Sequence, residues 1–160
     1  MCHRKKNNCI DKMKSYLLIV VVIFCTTQLV GQSEYSKYIV VDSLKKTHKI
    51  KNPHGYEEIN YLGTIKKSTG DTLYFVFGVY SAVKAAIQIH GHSNIIYLNK
   101  KFKEIKSYDV GLPDQLPYKL NNNTLYFKYL DATTNKKKIF KNKVGTSLPK
   151  LMCVGPDNCN

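Results

Sequence analysis

Thr72-Leu73-Tyr74-Phe75-Val76-Phe77-Gly78-Val79-Tyr80 decides the fold class. Aromatic and β-branched side chains dominate it, and these residues fit the crowded, pleated surface of a strand. Polar residues do not alternate with apolar ones. A stretch that is apolar on both sides predicts a central strand covered above and below.

Similar runs recur outward from it, separated by Gly, Asn, Asp and Pro. Strands are predicted over residues 58–66, 72–80, 85–90, 94–99, 102–110, 124–130 and 137–144. Lys103, Glu104 and Lys106 mark 102–110 as an edge or half-exposed strand. Gly70-Asp71, Gly91-His92-Ser93, Asn99-Lys100-Lys101 and Asn121-Asn122-Asn123 read as hairpin turns. Residues 34–46 are ambiguous: Tyr35, Tyr38, Ile39 and Asp42 can line a short helix, while 38–41 also reads as strand. The expected fold is all-β. An antiparallel meander would form a small sandwich or open barrel, with a short N-terminal helix as an option.

A repeat offers an alternative. TLYF occurs at 72–75 and again at 124–127, and the same offset aligns Lys84 with Lys136 and Ile87 with Ile139. Asn94-Ile95-Ile96-Tyr97-Leu98 echoes Asn123-Thr124-Leu125-Tyr126-Phe127. A period near 50 residues is typical of propeller blades, so a propeller-like repeat fragment is the second reading. A propeller generally needs at least about four blades, and this length supplies about two or three, so the meander fits better.

The N-terminus has the three parts of a secretory leader. Arg4, Lys5, Lys6, Lys12 and Lys14 precede the apolar run YLLIVVVIFC at 16–25, and Leu29-Val30-Gly31 precedes Gln32. A bilayer-spanning helix needs about 20 apolar residues, so this run reads as a leader and not an anchor. Phe24 before Cys25 is too bulky for a lipid-attachment signal. The expectation is a signal peptide over 1–31, cleaved between Gly31 and Gln32, with 1–12 a start-site extension ahead of Met13. Residues 32–160 then form a single secreted or periplasmic domain, touching membrane only through the leader if it is uncleaved.

That domain holds 20 lysines, no arginine and 10 acids. The excess of positive charge, spread along the chain, reads first as a solubilising surface and second as a means of steering to an anionic partner. Without arginine there is no bidentate phosphate fork, so nucleic acid is not expected. Only Cys153 and Cys159 remain beyond the leader, flanking Val154-Gly155-Pro156-Asp157-Asn158. An even cysteine count in an exported chain, around a turn-forming loop, predicts a disulfide.

Signals for chemistry are sparse. His90-Gly91-His92 is the most distinctive cluster; residues i and i+2 of a strand share a face, so the pair would hold a metal given a third ligand. His48, His54, Glu57 and Glu58 are the candidates for that third position. Ser-x-x-Lys occurs at 43–46, 81–84 and 147–150, as in serine β-lactamases, but the companion K-T-G and S-D-N motifs are absent. No nucleotide loop, zincin helix or hydrolase elbow is present, and no cofactor is expected. Tyr74, Tyr80, Tyr97, Tyr108, Tyr118, Tyr126 and Tyr129 lie in or near strands, where rings beside lysines form either core or stacking platforms. Gly111-Leu112-Pro113-Asp114-Gln115-Leu116-Pro117 reads as a rigid connection between sheet segments.

The functional expectation is an exported, non-enzymatic binding domain acting on a protein partner or an anionic envelope polymer. One alternative is a secreted inhibitor or immunity-type protein using the proline loop as a plug. The other is a metal-dependent enzyme built on His90 and His92.

Overall fold

A computed structural model describes residues 33–39, 46–85, 88–156 and 158–159. The expected leader and the Gly31–Gln32 junction lie outside the described residues. Five strands form an antiparallel meander in chain order: β1 (Thr47–Asn52), β2 (Gly55–Lys66), β3 (Thr72–Ala85), β4 (Gln88–Leu98) and β5 (Glu104–Gly111). A second meander has three: β6 (Lys119–Asn121), β7 (Thr124–Asp131) and β8 (Lys136–Lys143). The short strands β9 (Cys153–Gly155) and β10 (Asn158–Cys159) pair as a hairpin. Short 3-10 turns occupy Glu34–Tyr38 and Pro113–Gln115.

The central strand explains the large sheet. Alternation sends Val76 and Gly78 to one face of β3, and Phe75, Phe77 and Val79 to the other. On the first face Val76 joins Ile65, Ile95, Tyr97 and Val110 against Leu125, Phe127, Met152 and Val154 from the small sheet and C-terminal hairpin. On the second, Phe77 and Val79 join Ile59, Ile96 and Leu98, with Tyr35, Tyr38 and Ile39 packed over them. β3 is therefore buried from two sides, and the expected all-β meander and sandwich are what the chain forms. β5 is an edge, as its charges predicted.

Two expectations need correction. Gly91-His92-Ser93 is not a turn: β4 runs straight through it, pairing Gly91 with Ala82 and His92 with Ser81. Glycine lets the Tyr80 ring lie across the strand there, since a Cβ would lie 2.3 Å from the Tyr80 hydroxyl oxygen and the ring would have to move. Nor do the sheets form propeller blades, since one has five strands and the other three. The TLYF offset fails past its first strand. β3 continues to Ala85 whereas β7 ends at Asp131, so Lys84 sits on a first strand and Lys136 on a second.

Candidate functional site

Among the described residues no three His, Cys, Asp or Glu side chains gather to hold a metal. His90 and His92 are exposed and share one face of β4. Glu57 lies on that face too, but two strands away, about 10 Å at the usual strand spacing; it accepts a bond from the Ser81 hydroxyl (3.1 Å) that stands between. Glu58 is paired with Lys49 at 2.8 Å. His48 lies against the Tyr38 ring, 4.9 Å between centroids. His54 sits at the β1–β2 turn, where its carbonyl accepts from Lys84 N–H. Ser81 and Lys84 share β3, so three-residue spacing puts them on opposite faces.

The residues that do come together lie on the small sheet. Leu125 and Phe127 of β7 point inward, and with them Leu120 and Phe140. Alternation sends Tyr126, Lys128 and Leu130 outward, along with Lys119 of β6 and Lys137, Ile139, Lys141 and Lys143 of β8. Lys119 and Lys141 flank the Tyr126 ring at 5.7 and 5.8 Å, and Lys128 lies 5.0 Å from the Tyr118 ring. The two tyrosines meet edge to face, 6.4 Å between centroids. Leu130 is 60% exposed and Ile139 57%. The result is a basic, aromatic, partly apolar face with no acid among its outward residues.

A groove opens at the end of this face. It has a volume of about 820 Å3 and is lined by Leu116, Tyr118, Lys128, Leu130, Val154 and Pro156, among others. It exists because β6 stops early. The register of β6 against β7 covers only Thr124, Leu125 and Tyr126, and the last rung is the Tyr118 N–H bonded to the Tyr126 carbonyl (3.0 Å). Pro117 has no N–H to extend the ladder, and the chain before it turns at Pro113–Gln115, which lies near β7 without pairing with it. Leu116 anchors that turn by packing over Gly78, where the nearest side-chain carbon is 3.5 Å from the Cβ a larger residue would carry. The opposite wall is the C-terminal hairpin, closed by the Cys153–Cys159 disulfide (S–S 2.00 Å) and tied to β8 by the Asn142 amide donating to the Cys153 carbonyl (3.0 Å).

Three separate sequence features thus meet at one place: the proline-bounded connection, the disulfide loop, and Tyr118 with Tyr129. Sequence reasoning singled out each but had no signal to join them. It missed the lysines of the outer face, because their common orientation depends on a register that pairs Lys119, Tyr126 and Lys141 across three strands.

No family model, curated protein or solved structure matches this chain.

Proposed function

We propose that the protein is an exported, non-enzymatic binding domain that engages an anionic partner through the outer face of its small sheet. One observation carries this reading: Lys119, Lys128 and Lys141 are gathered around Tyr118 and Tyr126 on an open sheet face that bears no carboxylate. Lysines interleaved with rings attract anionic groups while the rings add contact area. Export follows from the leader read in the sequence, and places the protein in the envelope or outside the cell. Among the described residues no helix is long and apolar enough to cross a membrane.

The test compares two triple variants of equal charge change on immobilised dextran sulfate and poly-glutamate. Lys119→Ala/Lys128→Ala/Lys141→Ala abolishes retention at low salt. Lys100→Ala/Lys101→Ala/Lys103→Ala, which strips three exposed lysines from the turn between β4 and β5, leaves most of it. Wild-type retention weakens as salt shortens the Debye length from about 10 Å at 0.1 M. Equal loss in both variants would reduce the effect to net charge and sink the proposed face.

A further inference from the structure

β7 carries an unpaired backbone edge beside the groove. Asn123 C=O accepts from Val144 N–H and Tyr126 C=O accepts from Tyr118 N–H, so odd positions of this strand bond toward β8 and even positions toward β6. Lys128 and Leu130 are the next even positions. Among the described residues no backbone group reaches them from that side, since β6 ends opposite Tyr126. Their N–H and C=O groups therefore point across the mouth of the groove, repeating every second residue, about 7 Å apart.

Only another extended backbone matches donors and acceptors in that spacing. Groups of this kind on an exposed edge are the template for strand addition. A charged glycan satisfies the lysines but lacks the alternating amides. The added strand's own side chains would alternate. Those beside Lys128 and Leu130 lie on the outer face, next to Lys128 and within reach of Lys119. Those between turn into the groove, toward Leu116 and Val154. Resting on the anionic-partner reading above, we propose that the partner is an acidic polypeptide that binds in extended form, adding a strand to β7 at Lys128 and Leu130 with carboxylates outward and apolar side chains in the groove.

The probe is a short peptide of alternating glutamate and valine, made in two N-methylated forms. In the hydrogen-bonded pairs the glutamates stand opposite Lys128 and Leu130, so their amides face β7. Methylating the glutamate amides weakens binding to the intact protein by about tenfold or more, because each blocked amide leaves an edge carbonyl unmet. Methylating the valine amides, which face solvent, changes it by no more than about twofold. Hydrogen exchange at the Lys128 and Leu130 amides slows when the unmethylated peptide is bound, while the β1 and β5 edges stay unchanged. Equal binding of the two methylated forms overturns strand addition, as does protection that appears on β1 or β5 instead. If such binding still vanishes in the Lys119/Lys128/Lys141 variant, the anionic-partner reading survives that result. If the peptides and poly-glutamate fail while dextran sulfate still retains the protein at low salt, the acidic-polypeptide proposal alone falls; if dextran sulfate fails too, both fall.

Discussion

The two sheets handle burial differently. The five-stranded sheet is covered on both faces, by the small sheet on one and by Tyr35, Tyr38 and Ile39 on the other. Among the described residues, the three-stranded sheet is covered on one face only. Charge follows the same division. Residues 33–114 hold twelve lysines and eight acids, whereas from 115 onward eight lysines stand against Asp131 and Asp157 alone. The large sheet builds the core, and the small sheet presents a surface.

The largest effect that tests this division is in the core. Phe77→Ala, on a fully buried ring in the central strand, is expected to cost about 5 kcal/mol, the upper end for such truncations. Phe127→Ala removes an equally buried ring from β7, but from a sheet packed on one face, and the cost is expected nearer 3 kcal/mol. Urea melts of both variants measure the difference. A Phe127→Ala loss equal to or above that of Phe77→Ala would break the division between core and presenting sheet.

Next come two ties around the small sheet, one within the C-terminal hairpin and one between the two meanders, each worth about 2 kcal/mol. Replacing both Cys153 and Cys159 with serine opens a short loop, and the chain-entropy account assigns about that much to it. The groove wall then loosens, so peptide binding falls further than stability alone requires. Asn123 joins the two meanders. Its amide oxygen accepts from Lys66 N–H (2.9 Å) and its amide nitrogen donates to the Lys66 carbonyl (2.6 Å). It also holds a positive φ of 55° in the hairpin turn. Asn123→Ala loses the bonds and strains the turn, for about 2 kcal/mol. Asn123→Gly loses the bonds but tolerates the backbone, and a smaller cost in the same melts separates the two causes.

The large sheet was the more legible in sequence, for a physical reason. A strand buried on two sides is apolar throughout, and Thr72 to Tyr80 announces this without any knowledge of partners. The error at Gly91-His92-Ser93 came from applying a turn rule to residues that a long hairpin holds in register: glycine serves there to admit the Tyr80 ring. β1 passed unnoticed because THKIKN is polar on its exposed side and short of apolar residues on the other. The candidate site was legible only in fragments. Pro117 predicts a break and Asn121-Asn122-Asn123 a hairpin turn, and both are present. That the break leaves β7 with a free edge beside the disulfide hairpin is a tertiary fact, as is the gathering of the face lysines. Local pattern carries no information about which strands become neighbours.

The smallest effect concerns the one acid of the presenting sheet that is described. Asp131 sits where β7 turns toward β8, at the rim of the groove. Its carboxylate accepts from the Lys138 ammonium and from the Thr134 N–H and hydroxyl. These bonds, the lysine first among them, hold its pKa down at about 2 against an ordinary 3.8. A depressed carboxylate stabilises the fold above its unfolded pKa and loses that contribution as pH falls. The window is therefore roughly pH 4 down to pH 2. Being exposed, the pair adds little at neutral pH. Asp131→Asn should leave the neutral melting temperature almost unchanged and flatten its decline across that acid window. It should also free Lys138 beside Lys137 and strengthen low-salt retention on poly-glutamate slightly. A variant whose acid decline matches wild type would show that Asp131 contributes nothing through ionisation. Weaker retention would mean that the acid orders the β7–β8 turn for the partner, and the absence of carboxylates from the outer face would then not be what matters for binding.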